Sequence, residues 1–560
     1  MSDPLPPTQF ISMASAAERV FPTLTPDQID RAAPHGRTRP VEEGEVLVEA
    51  GLQNSKFFIV RTGLLQIVRK VGASEDFVAS IGPGQFTGES SLLTGRRGLV
   101  QIRVYEAGTV IELERDQLLT LVQTDSQLSE VIMRAFILRR VELIARGYGD
   151  AVLLGSMHSP GTLRIKEFLT RNNHPYSYVD LDRDAGVQEL LDRFQVSPEE
   201  VPVVICRGEL VLRNPSNEQL AGCLGFNETI DRTRLRDVVV IGAGPAGLAA
   251  AVYGASEGLD VLVLESDAPG GQAGASSKIE NYLGFPTGVS GQELAGRAYS
   301  QAHKFGAQIM IAKSAARLTC DRKPYTIDIQ DGPPVPARSI IIATGAQYRR
   351  LPLDNLERFE GNGVYYWATF VESQLCRDDE VIVVGGGNSA GQAAVFLAQT
   401  SKRVYLLVRS SGLADTMSRY LIRRIEDTPA IHLLPYTEIT SLEGGNRLES
   451  VRWRNSRTGK TELHEIGHVF LMTGATPNTA WLNGCVVVDE KGFIKTGPDL
   501  SADDLAAAHW SLNRPPHLLE TSLPGVFAVG DVRAGNVKRV ASAVGEGSIA
   551  ISFVHRVLQE

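Results

Sequence analysis

Two stretches of the chain carry the same pattern, and that pattern constrains the fold more than anything else in the sequence. The first, "DVVVIGAGPAGLAAAVYGASEGLDVLVLES", is an apolar strand, a glycine-rich turn, a small-residue helix and a second apolar strand. Gly242, Gly244 and Gly247 fit G-x-G-x-x-G, with Pro245 and Ala246 opening the helix. These glycines give a tight turn, close approach of backbone to a pyrophosphate, and close helix–strand packing. The helix N-terminus presents its positive dipole end to the phosphates. Glu265 ends the second strand 23 residues after Gly242, where an acid accepts from a ribose hydroxyl.

The second copy is "DEVIVVGGGNSAGQAAVFLAQTSKRVYLLVRSS", with Gly385, Gly387 and Ala390 as G-x-G-x-x-A and Asn388 and Ser389 in the turn. The same count of 23 residues from Gly385 reaches Val408, followed by Arg409 and Ser410. No acid stands at the ribose position. An acid there would repel a 2′-phosphate, and Arg409 would attract it. The spacing therefore predicts NADPH over NADH at this unit, with Arg419 either a second phosphate partner or a solvated helix residue. Two such units imply two bound dinucleotides.

Three further motifs accompany them. "SIIIATGAQYRR" contains Ala343-Thr344-Gly345, "PGGQAGASSKIENYLGFP" contains Gly271, Gln272 and Asn281, and "LPGVFAVGDVRAGNVKRVASAVGEGSIAI" contains Asp531, Arg539, Val540 and Ala541. In this order the set resembles the low-molecular-weight, bacterial type of thioredoxin reductase, over nearly all of residues 236–560. The resemblance implies that the first unit holds FAD, contacted by Gly242, Gly244, Pro245, Ala246, Gly247, Glu265, Gly271, Gln272, Asn281, Thr344, Gly345, Asp531, Arg539, Val540 and Ala541. Asp531 would take the ribityl hydroxyls, and the helix starting near Val540 would face the flavin N1/O2 edge. It further implies an inserted NADPH domain over residues 350–475, closed by a strand ending at Gly474, and a homodimer.

The departure from that family lies in "GVYYWATFVESQLC". The family has a redox-active Cys-Ala-x-Cys after a Gly-Val pair. Here Trp367-Ala368-Thr369-Phe370 stands in that place, and Cys376 follows alone. Trp367 and Phe370 are expected either to cover the flavin face or to pack the domain interface. The five cysteines, at 206, 223, 320, 376 and 485, are far apart in sequence. With no Cys-x-x-Cys and no Cys/His cluster, neither a local redox pair nor a metal site is expected. The cysteines are read as buried structural thiols.

Residues 20–118 read as many short strands with glycine-containing turns, followed by a helical stretch, "LSEVIMRAFILRRVELIARG". This segment resembles a cyclic-nucleotide-binding domain. The resemblance implies a ligand site at Gly88, Glu89, Ser90 and Arg97, although the Arg lies about one position early in the pattern. Cyclic AMP, cyclic GMP, or no cyclic nucleotide at all are the alternatives.

Residues 150–225 read as β-α-β-α-β-β-α, similar to a thioredoxin or glutaredoxin fold, with Val201-Pro202 at its cis-proline. Ser159-Pro160-Gly161-Thr162 then stands where the active site reads Cys-Pro-x-Cys, so no thiolate is available there. A helix at "LLDRF" belongs to this pattern.

The fold class expected is thus multidomain: an N-terminal β-barrel plus helix, an α/β thioredoxin-like domain, then α/β Rossmann-type FAD and NADPH domains. The boundaries expected are 1–148, 149–226, 227–349, 350–475 and 476–560. A net charge of −9 disfavours non-specific nucleic-acid binding. No run of 18 apolar residues and no secretory signal are found, so a cytoplasmic protein is expected. The function expected is NADPH-dependent reduction of FAD, with electrons passed to an unidentified small-molecule or protein acceptor. The alternative is a weakly catalytic, ligand- and redox-sensing platform.

Overall fold

The computed structural model describes residues 16–53, 55–71, 74–146, 149–182, 200–207, 210–229, 231, 233–330 and 332–560. It divides into two compact units, 1–150 and 151–560.

In the first unit, β1 (Arg37–Val41), β2 (Val46–Val48), β3 (Lys56–Val71), β4 (Ser74–Ile81) and β5 (Gln101–Glu114) form an antiparallel sheet in the order β1-β5-β3-β4, with β2 also on β5. The helix Ser126–Ala145 starts at Asp125, whose carboxylate accepts from the N–H groups of Gln127 and Leu128 at 3.0 Å each. Phe136 of this helix meets Phe57 and Phe86 at centroid separations of 6.1 and 6.5 Å. Three fully buried rings thus tie the helix to the sheet.

The second unit opens with β6 (Ala151–Gly155), the helix Pro160–Arg171, β7 (Tyr176–Asp180), β8 (Val203–Cys206), β9 (Leu210–Arg213) and the helix Asn217–Leu224. The sheet order is β7-β6-β8-β9, with β6 parallel to β7 and the other pairs antiparallel. The Val201–Pro202 bond is cis. The helix expected at "LLDRF" lies outside the described residues.

One face of this sheet carries a small apolar cluster of its own, Leu154, Val203 and Ile205, and the other packs into a larger core. Phe168, Leu220 and Phe226 join one apolar cluster with Val238, Ala250 and Ile309 of the segment that follows.

That segment builds a larger sheet: β10 (Arg236–Ile241), β11 (Val261–Glu265), β12 (Gln308–Ile311), β13 (Ala315–Thr319), β14 (Tyr325–Ile329) and β15 (Val335–Ile342), in the order β12-β11-β10-β15-β14-β13. β16 (Ala346–Tyr348) leads out of it. A parallel sheet follows, made of β17 (Val364–Tyr365), β18 (Glu380–Val384), β19 (Arg403–Leu407), β20 (Ile431–Leu434) and, after the three-stranded excursion β21 (Thr437–Glu443), β22 (Ser450–Asn455) and β23 (Thr461–His464), β24 (Val469–Leu471). Its order is β17-β24-β18-β19-β20. β25 (Ala475–Pro477) pairs antiparallel with β16, so the inserted sheet hangs on a two-stranded linker. β26 (Val526–Ala528) then returns to β15 of the first sheet. In both sheets the strands beside a glycine-rich turn are nearly all apolar, as strands buried on both faces must be.

The cysteine expectation is corrected here. Cys206 is bonded to Cys223, and Cys320 to Cys485, leaving Cys376 as the free cysteine among the described residues. The helix carrying Cys223 packs across β8, and the returning chain brings Cys485 beside the end of β13. Separations of 17 and 165 residues are closed by tertiary contacts that a local spacing rule does not see.

Candidate functional site

The glycine-rich turn after β10 is fixed by backbone crowding. Gly242 has φ +102°, and a Cβ on it would lie 2.4 Å from the Ala343 carbonyl oxygen. A Cβ on Gly247 would lie 1.9 Å from the Gly242 oxygen. Gly244, by contrast, faces open space at the start of the helix Pro245–Ser256. The turn is therefore closed on the protein side and open in front of the helix N-terminus, where a pyrophosphate fits.

Glu265, 6% exposed at the end of β11, accepts from Ala243 N at 2.7 Å and Asp267 N at 2.9 Å. Burial raises its pKa. A buried carboxylate beside the turn suits a ribose hydroxyl donor.

Gly270 N donates to Ala243 O at 2.7 Å, and a Cβ on Gly271 would lie 3.1 Å from Gly244 Cα, so this loop lies over the turn. Gln272 donates from Nε2 to Ala346 O at the start of β16. Thr344 and Asn478 exchange hydrogen bonds at 2.8 and 2.9 Å, and Asn478 N donates to Gly345 O at 3.1 Å. Asp531 is half-buried, its pKa raised by burial against the lowering effect of Lys538. The helix Val540–Val557 begins just after it, with Arg539 at its N-cap and Val540 half-buried. Asn281, Arg539 and Ala541 are exposed. The open turn and the helix N-terminus offer N–H donors, and the buried Glu265 and half-buried Asp531 offer acceptors, a set that fits FAD.

The second turn follows β18. Gly385 has φ +146°, and a Cβ on it would lie 2.3 Å from Met472 O; Gly387 and Gly474 face open space. Ala390 is buried, and Asn388 Oδ1 accepts from Ser418 N at 2.8 Å. Thr416 Oγ1 donates to Gly386 O at 2.7 Å, which keeps the 409–419 segment beside the turn. Arg409, Ser410 and Arg419 are all exposed, and neither arginine has an ion pair among the described residues. Free guanidinium groups beside an open turn fit a 2′-phosphorylated nucleotide.

Between the two glycine-rich turns in sequence lies the segment that departs from the expected disulfide. Thr369 caps the helix Phe370–Leu375, accepting from Val371 N, while Glu372 accepts from Thr369 N at 2.7 Å. This capping box explains the fate of the two aromatics. Trp367 precedes the cap and turns inward: its ring meets Tyr348 edge-on at 5.9 Å and lies 5.7 Å from the Arg171 guanidinium carbon. With Gln272, Tyr348 and Ser389 it lines a cavity of about 40 Å³, where FAD loop, linker and NADPH-side helix meet. Phe370, the first residue after the cap, is 72% exposed. At that exposure Phe370 packs no interface among the described residues of the chain. Cys376 is fully buried, and burial pushes its thiol up to about 11.

The helix Pro160–Arg171 also reaches this segment, which the sequence did not suggest. A Cβ on Gly361 would lie 3.0 Å from Pro160 Cβ, and Leu163 shares a core with Tyr365, Ala368 and Cys376. Arg171 pairs with Asp267 at 2.6 Å and donates to Gly271 O at 3.1 Å. Glu167 lies against Glu372; burial first, then Glu372, raises its pKa well above the ordinary carboxylate range. The pairs 171–267 and 167–372 join distant segments and carry no local signal. The capping box Thr369-Phe370-Val371-Glu372 is a sequence signal that went unused.

In the first unit, Gly88 and Glu89 line a cavity of about 530 Å³. Ser90 and Arg97 are not part of its wall: Ser90 bonds to Glu89 Oε2 at 3.1 Å, and Arg97 forms a backbone bridge with Gln53. Among the described residues no group of three or more metal-ligating side chains is found, and no helix is long and apolar enough to cross a membrane.

Comparison with known proteins agrees with this geometry. Residues 236–547 match the pyridine nucleotide-disulphide oxidoreductase family, and residues 38–125 match the cyclic nucleotide-binding domain. Thioredoxin reductase of Dictyostelium discoideum is 32% identical over 333 residues, covering 58% of this chain and 98% of its own length. Its counterpart in Mycolicibacterium smegmatis is 32% identical over 327 residues, covering 58% and 97%. The crystal structure of Lactococcus lactis thioredoxin reductase aligns with a TM-score of 0.52 at 29% identity, covering 58% of this chain and all of that one. The chain therefore belongs to the pyridine nucleotide-disulphide oxidoreductase family, as an FAD-containing, NAD(P)H-dependent oxidoreductase of thioredoxin-reductase type fused to an N-terminal cyclic nucleotide-binding domain.

Proposed function

We propose that the protein oxidises NADPH and delivers the electrons to an acceptor other than a dithiol of its own. The observation that carries this reading is Trp367, set among Gln272, Tyr348 and Ser389 where the family's disulfide would stand. FAD, when bound, would supply the two-electron relay between NADPH and that acceptor. The chain's own residues position the two nucleotides. Gly242 and Gly247 close the first turn, Glu265 and Asp531 take hydroxyl donors, and the N-terminus of Val540–Val557 stabilises negative charge at the ring edge. Arg409 and Arg419 select the 2′-phosphate, and Asn388 holds the 409–419 segment through Ser418.

Trp367 covers the site from water, and its aromatic face leaves stacking as the route by which an acceptor couples. A ferredoxin or flavodoxin, a quinone, oxygen, or a partner's disulfide are the acceptor classes that need no thiol on this chain. A small ligand of the N-terminal unit sets the rate, acting through differential affinity for two states of the reductase. A homodimer in the cytoplasm completes the reading, supported by the family resemblance.

A second reading is a sensing platform with little turnover. The helix Pro160–Arg171 favours it, because that helix touches both Asp267 of the FAD segment and Glu372 of the NADPH segment. Steady-state NADPH oxidation with these acceptor classes separates the two. Turnover well above the oxygen background with one class supports the enzyme; background rates with all of them support the platform.

A further inference from the structure

The cavity of the N-terminal unit is walled by Val48, Ile67, Val78, Leu99, Ile102 and Leu143, contributed by the barrel strands, the 90s loop and the helix Ser126–Ala145. At about 530 Å³ it is of a size to hold a small organic molecule. Its polar features are few, and two of them are unsatisfied. Arg139, 5% exposed, donates from Nε to Val20 O at 2.9 Å and from Nη1 to Gly88 O at 2.7 Å. Its guanidinium carbon lies 4.8 Å from the centroids of both Phe21 and Phe86, so the group is held rigidly. Its Nη2, fully buried, has no acceptor among the described residues.

Glu89, 8% exposed, meets Ser90 and, at 3.7 Å, Arg140 through Oε2. Its Oε1 is buried with no donor among the described residues. Both orphan atoms belong to residues that flank Gly88: Glu89 follows it, and Arg139 binds its carbonyl. A buried polar atom without a partner is unfavourable, so a ligand supplying one acceptor and one donor is favoured at this end.

We propose that this cavity binds an amphipathic carboxylic acid, with an alkyl or aryl body among the apolar walls and the carboxyl head between Arg139 Nη2 and Glu89 Oε1. The carbonyl oxygen accepts from Arg139, and the O–H donates to Glu89. The walls disfavour a cyclic nucleotide. Its sugar-phosphate carries several polar oxygens and a fixed charge; beyond Glu89 and Arg139 the wall offers them only Ser91 and the Glu142–Arg146 ion pair, the rest being apolar or glycine, and Arg97 is not in the wall to meet them. The inference rests on the reading that the N-terminal unit is a ligand sensor, and it names the class of ligand.

The test is calorimetric titration of the full-length protein with dodecanoic acid, dodecyltrimethylammonium, cyclic AMP and cyclic GMP, below the micellar range. Saturable binding of dodecanoic acid is expected, at least about tenfold tighter than any of the other three, one hydrogen bond's worth of preference. Leu99→Trp fills the cavity and is expected to abolish that binding. Glu89→Gln changes no volume and is expected to weaken it about tenfold. An unaltered flavin spectrum and unfolding temperature verify that each variant is folded.

No saturable binding of dodecanoic acid, equal or tighter binding of the ammonium analogue or a cyclic nucleotide, or binding that survives both substitutions overturns the proposal. NADPH oxidation is measured separately. A bound acid that leaves the oxidation rate unchanged overturns the sensor reading and leaves the ligand class standing.

Discussion

The two glycine-rich turns are built alike and finished differently. In both, the first glycine has positive φ and sits so close to a carbonyl, Ala343 O or Met472 O, that a Cβ would approach to 2.4 or 2.3 Å. In both, the next motif glycine, Gly244 or Gly387, faces open space. The strand that follows ends on a buried, hydrogen-bonded Glu265 in the first case; in the second it ends at Leu407, and an exposed Arg409 stands two residues beyond it. Turn geometry is thus common property of a dinucleotide site, and the residue at the strand end sets which nucleotide it accepts.

The comparison breaks most visibly at the glycines. Gly242→Ala is expected to cost about 3 kcal/mol or more, from backbone strain plus the clash with Ala343. The purified protein should carry little FAD, read from its flavin-to-protein absorbance ratio. Gly385→Ala should keep FAD and lose reduction by NADPH. If both variants lose flavin equally, the two turns do not serve separate nucleotides.

Arg409 sharpens the comparison. Arg409→Gln removes a charge-assisted contact of about 1.5–3 kcal/mol. The expected fall in kcat/KM for NADPH is about 10- to 100-fold, with the value for NADH changed less than about threefold. An unchanged ratio of the two would move the 2′-phosphate partner elsewhere, Arg419 first.

A smaller effect is expected where the thioredoxin-like helix meets the NADPH-side segment. Glu167 has a folded pKa raised by burial and by Glu372, with Asp267 adding to it and Arg171 opposing. A raised carboxyl pKa means that the folded state holds the proton more tightly than the unfolded chain. The stabilisation is full below the unfolded value near pH 4 and is lost as pH rises through the folded value. The unfolding temperature should therefore decline with rising pH through that window, and Glu167→Gln should flatten the decline. A variant profile parallel to the wild type would remove the pair from the account.

The smallest effect is expected at Cys376. Its thiol is buried and pushed up to about 11, so little thiolate forms near neutral pH. Cys376→Ser should change NADPH-dependent turnover by less than about twofold. A large loss would restore a thiol to the electron path.

The strand–turn–helix units were legible because their signals are local. Apolar runs of strand length, glycines at fixed spacing and an acid at a fixed count all arise within about 30 residues of one another. The site between the units was less legible. Trp367 and Phe370 stand three residues apart and face opposite ways, because Thr369 starts a helix between them. The Thr-x-x-Glu signature of that cap was readable, and it fixes which aromatic turns inward. The Cys320–Cys485 bond and the Glu167–Glu372 and Arg171–Asp267 contacts were not readable. Each joins segments brought together by the closing of whole sheets, and one sequence carries no local mark of such meetings.

The central claim is that electrons enter this protein as in its relatives and leave without a dithiol on the chain. Anaerobic titration of the FAD-loaded protein with NADPH, followed by flavin absorbance and a thiol count, tests it most directly. The account predicts complete bleaching at a single equivalent of NADPH per flavin, with the thiol count unchanged. A second equivalent consumed per flavin, with two new thiols appearing alongside, would contradict it.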